Sequence, residues 1–431
     1  MTFDPEIFAV LLRLLADRAN RAPESITVET ALTELLATED DWAAIQRGIF
    51  RTLNCVIPLD ELRTLHTVGD LALAVTVRMA SPAAPAEEDD EQDHLREDGS
   101  SHDGYQIVRV FYATDRATGD KVGIVQQYEP RRGNGDLTLG VAEVAVPHSH
   151  KFGQLEGPPW WQFFRAPDPN KHITVLLAGA LVEHAFWNTV RGCVASSSER
   201  DILLLVHGYN VTFDQGLRRA AQVVKDLKFL GAPILYSWPS RGSVGGYSAD
   251  EATIEWTTPH LKGFLRQLLE STGAGQVHVI AHSLGNRAAI NAIRELQLDT
   301  LAAGAAQLNQ FVLAAPDIDA DTFRQLAADF ATKPKRCTLY ANTDDRALAA
   351  SDWKHGGYAR AGGGSDDLVV VSSIETIDAT GQATDFLSHS YFAAASPVIT
   401  DLFQVIRSAT PDQRARLEPR KKGDLVYWRF G

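Results

Sequence analysis

A serine flanked by small residues is the first candidate for chemistry in this chain. Ser283 lies in the run Ala-His-Ser-Leu-Gly at residues 281–285, after a β-branched run and before an apolar helical pattern through Ala288 and Ile293. A strand that passes through a sharp turn into a helix presents the turn serine at the sheet edge, and it needs small residues two positions before and after. The pattern indicates a nucleophilic serine. The alternative is a buried serine on an ordinary strand-to-helix turn.

A serine that attacks an acyl carbon also needs oxyanion donors. In enzymes that carry the serine on such a strand-turn-helix, the donor loop comes earlier in the chain. An all-apolar stretch at residues 202–206, typical of a strand buried in a parallel sheet, is followed by a loop containing Gly208. Glycine lets the backbone turn tightly, so that an amide can point inward. We expect the backbone amides of Tyr209 and Leu284 to be the donors, with Asn210 in reserve.

The acid and the base should follow the serine, in that order. Asp345 comes after an apolar run at residues 337–341, and Asp317 follows the preceding predicted strand. We place the acid at Asp345, because in enzymes with this chain order the acid usually follows the strand before Asp345. Asp317 is the alternate acid, and the other interpretation of Asp317 is a cap of the next helix. His389 lies between the last predicted strand and the final helix, where the base is expected. The predicted triad is Ser283, His389 and Asp345.

The elements that must hold these residues alternate along the chain. From residue 105 onward, apolar runs and amphipathic patterns predict an α/β fold with a mostly parallel sheet. Strands are predicted at 105–112, 137–147, 173–177, 202–206, 233–237, 310–314, 337–341 and 368–371, with one more ending at the serine; helices are predicted at 182–191, 213–227, 251–271, 320–330 and 396–408.

Four aromatic residues are candidates for a substrate pocket. Trp238 and Tyr247 fall on predicted loops after a strand, while Trp160 and Trp161 belong to an aromatic segment with two prolines before it. Together they could line an apolar acyl pocket or form a lid. The alternative for Trp160 and Trp161 is packing of the accessory strands onto the core.

Charge and cysteine content exclude several classes of protein. The net charge of −14 is concentrated in residues 1–104, which hold 21 acidic residues, eight arginines and no lysine. No basic face is present, so nucleic-acid binding is not expected. Three widely spaced cysteines form no metal or disulfide pattern, and we expect no metal and no cofactor. The acidic N-terminus and the absence of a long apolar run favour a cytoplasmic protein without a membrane span.

The acidic part of the chain has its own organisation. Residues 1–80 show helical apolar stripes, and Thr67 is a predicted helix N-cap. Residues 81–104 combine proline, glycine and eight acidic residues between Glu87 and Asp98, which predicts a disordered linker. The predicted domains are therefore 1–80, a linker at 81–104, and 105–431.

Two resemblances follow from these motifs. The motifs at 110–116, 206–210, 237–240, 281–285, 314–317 and 388–392 resemble a largely uncharacterised bacterial family of α/β-hydrolases, although Ser388 replaces a glycine of the family pattern. The motifs at 53–58 and 65–71 resemble the second half of an acyl carrier protein. In acyl carrier proteins a serine carries the phosphopantetheine prosthetic group. Here the position of that serine falls on Glu39, and Thr38 is the nearest hydroxyl. The resemblance therefore implies a carrier-like helical domain without the prosthetic group.

The sequence as a whole predicts a serine hydrolase that cleaves a small acyl ester through an acyl-enzyme. The first alternative is a thioesterase or acyltransferase that acts with a carrier-type partner. The second is a non-catalytic interaction protein on a hydrolase fold. The acidic N-terminal domain is a candidate for docking a protein partner or for self-association, and a helical cap without a partner is the alternative to that role.

Overall fold

The structure is a computed structural model that describes residues 5–53, 62–80, 104–157, 167–243, 246–343, 358–364, 368–382 and 396–431. The chain divides into two compact units, Met1–Gln92 and Asp93–Gly431. Most of the predicted linker lies outside the described residues, as do Trp160, Trp161, Asp345 and His389. In the described ranges, no helix is long and apolar enough to cross a membrane.

The smaller unit is helical. Over its described residues, 5–53 and 62–80, the α-helices are α1 (Pro5–Ala19), α2 (Leu32–Leu35), α3 (Glu39–Leu53) and α4 (Val68–Ala80). Leucine and isoleucine side chains from all four form its buried core. The predicted cap of α4 is confirmed, because the Asp70 amide donates to Thr67 Oγ1 at 3.1 Å and the Thr67 amide donates to Asp70 Oδ2 at 2.9 Å.

Thr38 has a similar position at the start of α3. The Asp41 amide donates to Thr38 Oγ1 at 3.2 Å, and the Thr38 hydroxyl donates to Asp41 Oδ2 at 2.7 Å. The hydroxyl and the amide of Thr38 both donate to the Asp41 carboxylate, and these two hydrogen bonds hold the pKa of Asp41 below its usual value. The hydroxyl nearest to the predicted attachment position, that of Thr38, therefore belongs to a helix cap. The likeness of this unit to a carrier protein stays a prediction.

The larger unit is built on one sheet of thirteen strands within the described residues. In chain order they are β1 (Tyr105–Thr114), β2 (Arg116–Val122), β3 (Val125–Arg132), β4 (Thr138–Pro147), β5 (Thr174–Leu181), β6 (Asp201–Val206), β7 (Ala232–Ser237), β8 (Gln276–His282), β9 (Gln307–Ala314), β10 (Arg336–Ala341), β11 (Glu375–Asp378), β12 (Leu417–Lys422) and β13 (Leu425–Phe430). Their spatial order is β12-β13-β11-β10-β9-β8-β6-β7-β1-β4-β5-β3-β2. The strands from β13 to β1 in this order pair in parallel, so the predicted mostly parallel sheet is confirmed.

Helices cover both faces of this sheet. They are α5 (Glu183–Ser196), α6 (Phe213–Asp226), α7 (Tyr247–Ser271), α8 (Gly285–Glu295), α9 (Ala320–Phe330) and α10 (Ser396–Ile406). One core contains α5, α7, α8 and α9, and the other contains α6 and α10. Strands β6 and β7 are buried along their whole length, as expected when both faces are covered.

One predicted strand is wrong. Residues 368–371 form no strand, and the strand of this region is β11, a few residues later, which pairs in parallel with β10 from Thr338 to Ala341. Leu368 and Val369 are nevertheless buried, and the Val369 carbonyl accepts a hydrogen bond from Thr376 Oγ1 at 2.9 Å. The apolar run packs beside β11 without pairing with it, so its hydrophobicity reflects burial and not a strand.

Candidate active site

Ser283 occupies the turn between β8 and α8 in a strained backbone conformation. Its φ is +47°, a left-handed value that few residues other than glycine adopt. The Ser283 amide donates to the Ala314 carbonyl at 3.0 Å, and its own carbonyl accepts from the Asn286 side-chain amide at 3.0 Å. These bonds tie the turn to the end of β9 and to the first turn of α8, and they support the strained geometry.

The glycine two positions after the serine is required by a backbone contact. A Cβ built on Gly285 would lie 2.3 Å from the His207 carbonyl oxygen. The start of α8 therefore lies directly against the loop after β6. The same carbonyl accepts a hydrogen bond from Trp238 Nε1 at 2.7 Å. The strand-turn-helix geometry expected from the sequence is present at this serine.

The loop after β6 also contacts Ser283 itself. A Cβ on Gly208 would lie 2.9 Å from Ser283 Cβ and 2.6 Å from His282 Nδ1, so only glycine fits here. The imidazole of His207 is buried, and its Nδ1 lies 2.8 Å from the Gly208 carbonyl oxygen. Its Nε2 lies 3.3 Å from Arg116 Nη2.

These two distances assign the tautomer of His207. A guanidinium nitrogen can only donate, so Nε2 must be the acceptor and Nδ1 must carry the proton. Burial, with the neighbouring Arg116 charge, lowers the pKa of His207 to about 3, which keeps the ring neutral. Nδ1–H then donates to the Gly208 carbonyl. Since a trans peptide places its C=O and N–H on opposite sides, the Tyr209 N–H points away from the His207 ring.

Arg116, the first residue of β2, joins the loops that follow β6 and β7. Its Nε donates to Ser237 Oγ at 2.9 Å, its Nη1 to the Ser240 carbonyl at 3.1 Å, and its Nη2 to the Val211 carbonyl at 2.8 Å. Burial lowers the pKa of the Arg116 guanidinium to about 10, so it stays charged at neutral pH. The sequence motif at 110–116 included this arginine without indicating its role.

Asn210, the third candidate for an oxyanion donor, already uses its backbone in a hydrogen bond within the protein. The Asp250 carboxylate accepts a hydrogen bond from the backbone of Asn210, which has a φ of +58°. It also accepts from Ser240 Oγ at 2.7 Å and from the Arg241 amide at 2.9 Å. This use of the Asn210 backbone leaves Tyr209 and Leu284 as the candidate donors. Leu284 lies at the N-cap of α8, where helix amides point outward and favour negative charge.

Asp317 lies in the loop after β9, close to the turn at Ser283 between β8 and α8, which we call the elbow. Its amide donates to the Ser283 carbonyl at 3.3 Å, and its carboxylate is buried. Tyr247 Oη donates to Asp317 Oδ2 at 2.6 Å, and Arg360 Nε lies 3.3 Å from Asp317 Oδ1. The helix-cap alternative is wrong for Asp317, because Asp319 caps α9 by accepting from the Thr322 amide at 2.8 Å.

The two described aromatic candidates differ in their surroundings. Trp238 is fully buried and stacks on His207, with 5.1 Å between ring centroids, so it supports the loop from within the core. Tyr247 is half-buried and forms an edge-to-face pair with Tyr209, with ring centroids 5.2 Å apart. Of these two described aromatics, Tyr247 is the one that lies beside the loop after β6 and Asp317.

The mostly parallel sheet, the two helical layers and the elbow at Ser283 together define an α/β-hydrolase. Residues 183–408 match the family described as "Alpha/beta hydrolase of unknown function (DUF900)", and the match spans more than half of the 431 residues. The chain belongs to this family. No curated protein and no solved structure matches the chain significantly. In the described ranges, no group of three or more His, Cys, Asp or Glu side chains could hold a metal ion.

Proposed function

We propose that the protein is a serine hydrolase that cleaves acyl esters through a covalent acyl-enzyme on Ser283. The observation that carries this proposal is the strained turn at Ser283, packed against the Gly208 loop. Strain of this kind persists only where the surrounding structure enforces it, and it is concentrated at active sites. A serine on an ordinary strand-to-helix turn would need neither the positive φ nor the glycines at positions 208 and 285.

In the proposed reaction, His389 accepts the proton of Ser283 Oγ while that oxygen attacks the acyl carbon. The resulting tetrahedral oxyanion accepts hydrogen bonds from the Tyr209 and Leu284 amides. His389 then returns the proton to the departing alcohol, leaving an ester on Ser283. Water attacks this ester with His389 again as the base, which releases the acid and restores the serine.

Asp345 is the proposed partner of His389, with Asp317 as the alternate. The contacts of Asp317 favour this order, because its carboxylate already accepts from Tyr247 and faces Arg360 in an ion pair. A carboxylate engaged in this way is well placed to hold the loop after β9 against the elbow. The same contacts support Tyr247 as a wall of the site near the alcohol or acyl group.

A panel of four variants tests the proposal. Hydrolysis of p-nitrophenyl esters should be measured for the wild type, Ser283→Ala, His389→Ala, Asp345→Asn and Asp317→Asn. We expect Ser283→Ala and His389→Ala to abolish turnover. Asp345→Asn should lower kcat strongly, about 10⁴-fold by analogy with other triads. Full activity of folded Ser283→Ala protein would refute the proposal, and a greater loss in Asp317→Asn than in Asp345→Asn would reassign the acid.

A further inference from the structure

A small cavity lies beside the nucleophile on the α6 face of the sheet. Its volume is about 50 Å³, and it opens between the ends of β6, β7 and β8 and the first half of α6. Its walls are mainly apolar, with Leu155, Ala220, Leu235 and Ile280 among them, and Gln215 and Arg219 of α6 also line it. Protein interiors are close-packed, so a cavity of several water volumes needs an explanation.

The cavity is in contact with the elbow through two residues. Gly208 and His282 both line it. Gly208 has no side chain, and a Cβ there would lie 2.9 Å from Ser283 Cβ. The loop after β6 thus borders both the cavity and Ser283. An acyl group bonded to Ser283 Oγ, with its oxygen directed to the Tyr209 amide, has this cavity as a neighbouring apolar space.

The size and chemistry of the space define its ligand. A volume of about 10–15 Å³ holds one water-sized group, so the cavity has room for about four non-hydrogen atoms. Apolar walls favour a saturated chain over a charged one. We infer that this cavity receives the acyl chain of the substrate, and that the substrates are esters of short acids of about four carbons. This inference rests on the proposed function.

Two substitutions change the cavity in opposite directions. Ala220 is buried on α6, and Ala220→Leu would place three more carbon atoms inside the cavity. Leu155 is half-buried in the loop after β4, and Leu155→Ala would enlarge the cavity. Leu230→Ala is the matched control, because Leu230 is an exposed leucine that does not line the cavity.

The readout is kcat/KM for acetyl, butanoyl, hexanoyl and octanoyl p-nitrophenyl esters. Each buried CH₂ should contribute about fourfold, so wild type should prefer butanoyl to acetyl by about 15-fold, with little further gain for octanoyl. Ala220→Leu should lower the butanoyl-to-acetyl ratio to near one. Leu155→Ala should shift the optimum to a longer chain, and Leu230→Ala should keep the wild-type profile.

The outcomes separate the two proposals. If wild type hydrolyses esters but neither Ala220→Leu nor Leu155→Ala alters the chain-length profile, the cavity assignment is overturned and the proposed function stands. If folded wild type neither hydrolyses an ester nor reacts with a fluorophosphonate, the proposed function itself is refuted. If Ala220→Leu does not fold, as judged by thermal unfolding, the shift in Leu155→Ala against Leu230→Ala decides the assignment.

Discussion

Replacing His207 tests how the Tyr209 amide is oriented. In His207→Leu the imidazole Nδ1–H that donates to the Gly208 carbonyl is lost, while an apolar side chain of similar bulk still fills the site. The Gly208–Tyr209 peptide is then free to rotate, and the Tyr209 N–H no longer has a fixed direction. We expect kcat to fall with little change in KM, because the amide contacts an oxyanion that exists only in the transition state.

The expected decrease in kcat of His207→Leu has a lower and an upper limit. One hydrogen bond contributes about 0.5–1.5 kcal/mol net, so losing it should lower the productive population of the peptide by about two- to twelvefold. Complete loss of an oxyanion donor costs about 2.7–4 kcal/mol, or 10²–10³ in kcat. The expected decrease in kcat lies between about twofold and 10³-fold. Burial keeps His207 neutral, so its loss should not alter the pH dependence of the remaining activity.

The matched variant is His207→Asn. The asparagine side-chain amide can place a donor close to the position of imidazole Nδ1, so it should restore a large part of kcat. Both variants should be assayed well below their unfolding temperatures, since the loss of a buried hydrogen-bonding group also lowers stability. If folded His207→Leu retains kcat within about twofold of wild type, the imidazole does not orient the peptide and the reasoning is wrong.

Three further predictions concern the elbow, the loop after β4 and the base. Gly285→Ala should lower the unfolding temperature and the activity, because its Cβ would lie 2.3 Å from a backbone carbonyl oxygen; a wild-type melting curve would contradict this contact. His150 lies between the carboxylates of Glu156 and Asp226, at 2.8 Å and 2.9 Å. Burial alone would lower its pKa, but the carboxylates outweigh burial and raise the pKa to about 9. Its stabilising contribution should be complete below pH 6.5 and lost as pH rises through 9, so the urea-unfolding free energy should fall over this interval in wild type and less in His150→Gln. Activity should fall with decreasing pH as His389 protonates, because only the neutral imidazole can accept the serine proton; a flat kcat/KM profile from pH 5 to 8 would count against this base.

The buried part of the fold could be predicted from the sequence because its signals are local. The run at 202–206 is apolar throughout, and α9 was predicted at 320–330, the bounds that it has in the structure. The first strand of each hairpin at the ends of the sheet carries no such signal. β2 is polar and largely exposed, and β12 contains Pro419, which edge strands tolerate and central strands do not. Periodicity is weak where neither face of a strand is buried.

The residues of the candidate site also differ in how far they could be predicted from local sequence. Ser283 and Gly208 could be found because the backbone geometry that they need restricts residue types within a few positions. The roles of Arg116 and Asp250 could not be found, because their partners are distant in the chain: Arg116 bonds Ser237, 121 positions later. The structural use of Asp317 is likewise set by Tyr247, 70 positions earlier. Such contacts arise only when the strands of a parallel sheet come together.

The most direct test of the central claim is covalent labelling of the intact protein with a fluorophosphonate. Mass spectrometry should show one added phosphonyl group on wild type, and peptide mapping should place it on Ser283. Ser283→Ala, shown to be folded by its melting curve, should remain unlabelled. Folded wild-type protein that stays unmodified, or that carries the label on another residue, would contradict the assignment of Ser283 as the nucleophile.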